Sequence, residues 1–284
     1  MLESDKKFLQ PFIEERKGPS GEKFSSLPLK STQEAAHQRN CPLKEIEILA
    51  LQNQIIPERY QRNIGTVGLE GQITLLQSQV AILGLGGLGG SVLEMLLRWG
   101  VGDLVVIDGD IFTDSNLNRQ ALSHSANLGI SKAEVARLRG AEVNPAVELK
   151  AYAVTADEQN LPRMLQGCHA VVDGLDNIRT RFVLEKACRS LKIPLVHGAV
   201  AGFMGQVSSI FPEDAGLEAV YGSQNVVEYG AEKDLGTPCV TPTAVAAWQV
   251  SEVVKILLGW ESTLRNKILF IDFKELTITI LELS

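Results

Sequence analysis

The residues able to do chemistry begin with a glycine loop. Gly84, Gly86, Gly87 and Gly89 fall in GLGGLG (84–89), which satisfies GxGxxG directly after the apolar run VAIL and directly before a helix-forming stretch. That placement gives the pattern its meaning. Glycine lets the backbone turn tightly and approach phosphate oxygens, whose charge is met by N–H groups at the start of the helix. Asp108 ends the next strand pattern, 19 residues beyond Gly89, where a carboxylate can accept both hydroxyls of a ribose. Together these features point to an adenosine-containing ligand, against the plainer reading of a glycine turn that serves only helix-on-strand packing. Neither feature separates ATP from NAD.

The segment DGDIFTDSNLNRQ (108–120) does separate them. A hydride-transfer site has no use for so many polar side chains, whereas a triphosphate site has. Asp110, Asn116, Arg119 and Gln120 fall at the C-terminal end of the second strand, the edge where open α/β sheets bind ligands. Lys132, in GISKA, opens a further helix pattern. An arginine and a lysine facing one polyphosphate can neutralise charge on departing pyrophosphate. An NAD-dependent oxidoreductase would leave Arg119 and Lys132 without a task.

Positioning these groups requires alternating strands and helices, and the chain supplies them. VAIL, DLVVI, VELKAYAV and HAVVDGLD are strand patterns separated by helical ones, which predicts βαβ units and an α/β, doubly wound, mainly parallel sheet. After His197 the alternation stops. Residues 206–211 read as an antiparallel continuation, 212–238 as a long irregular crossover of the kind that often forms a functional lid, 243–258 as a helix, and 267–273 and 276–283 as a closing hairpin. Residues 1–55 read as an N-terminal extension, partly helical, with a loop or linker over 18–28 and an amphipathic helix over 43–55; residues 56–284 read as the nucleotide-binding domain.

Composition excludes several other classes. With 284 residues, 45% hydrophobic, the chain can bury a sizeable core, yet no apolar run approaches the ~20 residues that span a bilayer. A net charge of −7 without a basic run weighs against nucleic-acid and anionic-membrane partners. Cys41, Cys168, Cys188 and Cys239 contain no CxxC pair, and the start of the chain has no apolar signal segment; both favour a reduced, cytoplasmic protein without a structural zinc. Cys239 precedes a helix, where a thiol can be activated, so it is the one candidate for covalent thiol chemistry. His197 reads as a core histidine rather than a base.

The motifs RYQRN (59–63), VAILGLGGLGGSV, GVGDLVVIDGD, SNLNRQ, GISKA, NP at Asn144, VVDGLDNIRTRF and GAVAGFMGQV occur together over residues 57–283. In order and spacing the set resembles the ThiF/MoeB/HesA proteins, prokaryotic relatives of the ubiquitin-activating enzymes. The resemblance implies ATP and Mg2+ as cofactors, with Asp108 on the ribose, Arg119 and Lys132 on the phosphates and Asp176 on the metal. Asp110, Asn116, Gln120 and Asn177 would complete the pocket, and Arg62 would reach the nucleotide of the neighbouring subunit in a homodimer. Asn63 stands where the family usually has glutamine.

By the same resemblance the enzyme is an adenylyltransferase, and its partner is a small β-grasp, ubiquitin-like sulfur carrier whose C-terminal glycine carboxylate becomes an acyl adenylate. The crossover would cover the carrier's tail. A carboxylate attacks phosphorus unaided, so the chemistry calls for positioning and charge rather than a general base. Two neighbouring readings share part of the motif set. An ATP-dependent tRNA-modifying dehydratase would need RNA, against the acidic balance and the GAVAGFMGQV stretch; a non-catalytic nucleotide-binding scaffold would leave the arginine, lysine and aspartate unexplained. The carrier's pathway, whether molybdenum or tungsten cofactor, thiamine, a modified nucleoside or a peptide product, stays open.

Overall fold

The computed structural model describes residues 2–18, 21–222, 230–261 and 263–283. Its first segment is more than a partly helical extension. α1 (Leu2–Leu9) leads to β1 (Glu14–Lys17), which pairs antiparallel with β2 (Lys23–Leu27); α2 (Leu29–Arg39) and α3 (Leu43–Gln52) follow, and β3 (Ile56–Pro57) lies parallel to β2. Leu9, Leu27, Ala35, Ile46 and Ile55 close a small core there. The stretch expected to be a loop therefore holds a strand. KFSSL is too short and too polar to show a period of two, and its hydrogen-bond partners come from both sides along the chain. α3 stops short of residue 55 because Gln54 takes a left-handed backbone, φ 61°.

α4 (Gln61–Leu76), interrupted at Gly68, delivers the chain to the main sheet. β4 (Gln79–Leu83), α5 (Gly87–Trp99), β5 (Asp103–Ile107), α6 (Lys132–Val143), β6 (Glu148–Tyr152), α7 (Leu161–Met164), β7 (Ala170–Asp173), α8 (Ile178–Leu191) and β8 (Leu195–Ala201) form the alternating part. β9 (Met204–Ile210), α9 (Leu217–Tyr221), α10 (Glu232–Leu235), α11 (Val240–Leu257), β10 (Lys267–Asp272) and β11 (Thr277–Glu282) complete it. The sheet runs β11-β10-β9-β8-β7-β4-β5-β6, parallel from β8 to β6 and antiparallel from β8 to β11, as the sequence patterns predicted.

Alternation along β4 shows why the apolar run works in a central strand. Val80 and Ile82 enter the core shared with α5 and α11, while Ala81 and Leu83 enter the core under α7 and α8. A strand covered on both faces has no polar side to display. After β4 the chain goes to β5 on one side and later returns to β7 on the other. Loops leaving β4 and β7 thus diverge above the sheet, and this switch point opens the crevice.

Two boundaries differ from expectation. α11 begins at Val240 rather than 243, because Pro242 sits in its first turn, where a missing N–H costs no helical bond. The crossover is also less irregular than its sequence suggests, since it contains α9 and α10; residues 223–229 of that expected lid lie outside the described residues.

Candidate active site

Two close glycine contacts build the floor of the crevice. Gly84 has φ +86°, and a Cβ there would stand 2.6 Å from the carbonyl oxygen of Gly174; a Cβ on Gly89 would stand 1.8 Å from the carbonyl of Gly84. The β4 and β7 loops and the start of α5 are therefore in backbone contact, which no side chain permits. Gly86 differs: nothing approaches its added Cβ more closely than 3.9 Å, so its bareness leaves room rather than packing.

Above this floor lies a cleft of about 400 Å3, bounded by Gly84, Gly86 and Gly87 on one side and by the end of β5 on the other. Asp108 ties the two together. Its Oδ2 accepts the backbone N–H of Leu85 at 2.6 Å and its Oδ1 that of Asp110 at 2.8 Å. Burial pushes this carboxyl above its ordinary range, partly offset by Lys132 and the two backbone donors.

Cations collect at the same end of the cleft. Lys132 opens α6, has its side chain only 8% exposed, and donates to Oδ2 of Asp110 at 3.0 Å. Arg119 is held by the carbonyl of Ser115 at 2.8 Å and by Asn118 Oδ1 at 2.9 Å. Arg181 and Lys233 also line the cleft. Gln120 is buried in its wall with Oε1 lacking a partner among the described residues, so a donor from a ligand would satisfy it. Opposite, Asp176 is exposed at the tip of the β7 loop, with only the Asn177 amide, 3.4 Å away, near its carboxylate among the described residues. Asn177 caps α8 by accepting the N–H of Thr180 at 2.9 Å.

Of the residues singled out from sequence, Gly84, Gly86, Gly87, Asp108, Asp110, Arg119, Gln120, Lys132, Asp176 and Asn177 all line this cleft. Gly89, Asn116, Arg62 and Cys239 do not. Gly89 is packed behind the loop, and Asn116 shapes the approach to Arg119 by accepting the Thr113 N–H at 3.0 Å. Arg62 is exposed on the first turn of α4, away from this chain's own cleft. Cys239 is exposed at the start of α11, between the lining residues Thr237 and Pro242.

His197 is the core histidine that its sequence context suggests, but sequence reasoning missed the buried polar cluster around it, beside the cleft. His197 is fully buried, with Nδ1 2.7 Å from Asp173 Oδ2 and Nε2 3.1 Å from the Tyr221 hydroxyl. Arg181 donates to that hydroxyl and, at 2.6 Å, to the carbonyl of Leu175. Burial would raise Asp173, but Arg181 and His197 beside it hold it below the usual carboxylate range; burial outweighs Asp173 at His197 and lowers it. Arg181 lies in the motif NIRTRF, but its partner Asp173 belongs to the preceding strand, and no spacing rule pairs the two. A second, mostly apolar cavity of about 210 Å3 adjoins the cleft and shares Asp176, Arg181, Ala199 and Val200 with it.

The ThiF family model matches residues 60–284. The chain belongs to the ThiF family. It is 36% identical over 225 residues to the SAMP-activating enzyme E1 of Haloferax volcanii, covering 78% of this chain and 83% of that one. It is 33% identical over 244 residues to the sulfur carrier protein adenylyltransferase of Thermus thermophilus, covering 78% and 87%. It spans about half the length of two other curated relatives it matches. Among solved structures, Escherichia coli MccB with MccA-N7isoASN superposes with a TM-score of 0.71 at 21% identity, covering 91% of this chain and 80% of that one, a likeness of fold. This ThiF-family chain is an adenylyltransferase, which implies ATP as the donor. Among the described residues no helix is long and apolar enough to cross a membrane.

Proposed function

We propose that residues 56–284 use ATP to adenylate the C-terminal glycine carboxylate of a small ubiquitin-like, β-grasp sulfur carrier, releasing pyrophosphate. The observation that carries this reading is the meeting of two cavities of different character. The larger, lined by glycines, Arg119 and Lys132, suits a nucleotide; the smaller is mostly apolar and runs into it at Arg181 and Asp176. An extended tail lying in the second cavity would bring its terminal carboxylate to the point where the cleft begins. The names of the Haloferax and Thermus relatives support a carrier protein as the partner.

In this reading Asp108 holds the ribose while its backbone contacts keep the glycine loop in place, and Arg119 and Lys132 bind the phosphates. Gln120 and Asn177 complete the pocket. Asp176, an exposed carboxylate facing a polyphosphate site, fits an ion such as Mg2+, which takes one or two carboxylates and completes its shell with phosphate and water. When bound, the ion would neutralise phosphate charge. The carrier carboxylate is already ionised at neutral pH, so the chain's work is alignment and charge compensation. Arg62, exposed on α4, serves the partner subunit's nucleotide in a homodimer.

Incubation with ATP, Mg2+ and a purified β-grasp carrier ending in glycine tests the reading directly. Mass spectrometry of the carrier will show an added adenylyl group that hydroxylamine removes; a carrier whose mass never changes, under conditions in which ATP binds, would contradict it.

A further inference from the structure

The hydrogen bonds around Tyr221 fix more than the position of one ring. Its hydroxyl oxygen accepts from Arg181 Nη1 and, at 3.1 Å, from Gln206 Nε2, which uses both lone pairs. Its proton then points to His197 Nε2, 3.1 Å away, a nitrogen that Gln206 Nε2 also approaches at 3.3 Å. That nitrogen is an acceptor, so the His197 proton resides on Nδ1 and is donated to Asp173 Oδ2 at 2.7 Å. One chain of donors and acceptors thus links β7, α8, β8 and β9 to the last residue of α9. The rings of His197 and Tyr221 also meet edge to face, 5.5 Å between centroids and 81° between planes.

Leu217 separately buries the start of the same helix in the core beneath α8. What the fastening does fix is one wall of the second cavity. Tyr221 faces it, Phe270 and Met204 contribute from the neighbouring strands, and Ala199 and Ala201 supply a floor of short side chains. Arg181 lines both this cavity and the nucleotide cleft, a cation where the two meet.

Resting on the adenylation reading above, we propose that Tyr221 is a specificity-determining residue for the partner's tail. Its ring sets the width of the second cavity, and only a tail of small residues reaches Arg181 and Asp176 past it. His197, held by Asp173, is a positioning residue that acts through Tyr221.

The test uses the full-length enzyme in ATP–pyrophosphate exchange with a β-grasp carrier ending in glycine, and with the same carrier bearing valine as its penultimate residue. Tyr221→Ala is expected to raise the carrier KM about tenfold and to reduce discrimination against the valine tail by a similar factor, leaving the ATP KM within about twofold of wild type. Tyr221→Phe, which keeps the ring and removes the hydroxyl, is expected to raise the carrier KM severalfold with the same unchanged ATP KM, and His197→Ala to reproduce that split. Thermal melts confirm that each variant is folded, and Tyr221→Phe carries the test if either alanine variant is not. Exchange by the wild type with unaltered carrier KM and tail discrimination in the Tyr221 variants overturns this inference alone, as do carrier and ATP KM values that move together. A wild type that exchanges with no carrier overturns the adenylation reading and this inference with it.

Discussion

The ammonium group of Lys132 lies 3.0 Å from Oδ2 of Asp110, a buried cation against a carboxylate whose side chain is 74% exposed. Such a pair is asymmetric. Asp110 can swing into water at little cost, whereas Lys132 is fixed at the start of α6 and cannot follow. A phosphate entering the cleft can therefore take the place of Asp110.

Two substitutions follow from that exchange. Lys132→Ala is expected to lower turnover about a hundredfold and to raise the ATP KM, because a single positioned donor at a charge-bearing centre is worth roughly that much. Asp110→Asn removes the competing anion and is expected to bind ATP severalfold more tightly. Isothermal titration with ATP, beside exchange rates, checks both; weaker ATP binding in Asp110→Asn would show that Asp110 itself holds the ligand.

The glycines of the loop separate into packing and clearance roles. Gly89→Ala places a methyl 1.8 Å from the carbonyl of Gly84, and is expected to cost the fold about 2–4 kcal/mol, read by denaturant unfolding. Gly86→Ala meets nothing within 3.4 Å. It is expected to leave stability unchanged and to abolish ATP binding, since its methyl would occupy space in the cleft.

A pH-dependent contribution sits where the N-terminal segment meets the RYQRN motif. Glu47 of α3 is fully buried, accepts from the Tyr60 hydroxyl at 3.0 Å and lies 3.3 Å from Arg59; Asn144 in turn donates to Tyr60 at 3.0 Å. Burial raises the Glu47 carboxyl from its ordinary 4.5 to about 7, although Arg59 and Tyr60 oppose the shift. Because the folded value is raised, its contribution is fully present below pH 4.5 and is lost as pH rises through about 7. Glu47→Gln removes this dependence. The variant is expected to be more stable than wild type at pH 8, by about 3 kcal/mol, with the gap closing by pH 4.5. His197, lowered by burial, acts in the opposite sense below its ordinary 6.5, but it is common to both proteins and cancels in the comparison. Melting curves across this range check the sign.

Arg62 provides a test of the proposed homodimer. Arg62→Ala and Asp176→Ala are each expected to be inactive alone. Mixed and allowed to exchange subunits, they should regain about a quarter of wild-type activity, since half of the dimers are mixed and each mixed dimer has one intact site. Absence of recovery, with subunit exchange demonstrated, would place Arg62 outside the neighbouring site.

Much of this site was legible because its signals are local. A glycine run between strand and helix, a carboxylate at the end of the next strand and a lysine opening a helix each depend on a few adjacent residues, and all of them reach one cleft. The Asp173, Arg181, His197 and Tyr221 cluster was not legible, because its members come from four separate elements and only the strand order brings them together. The β1-β2-β3 sheet failed for the same reason: KFSSL has no pattern of its own, and its partners are Glu14–Lys17 on one side and Ile56–Pro57 on the other. The early start of α11 was hidden by Pro242, a residue that reads as a breaker unless its place in the first turn is known.

Carrier-dependent adenylation is tested by exchange of labelled pyrophosphate into ATP, with and without a β-grasp carrier ending in glycine. Exchange is expected to require the carrier, to require its terminal carboxylate and to be lost in Asp176→Ala. Exchange that proceeds without the carrier, or persists when the carrier's C-terminus is amidated, would contradict carrier-dependent adenylation.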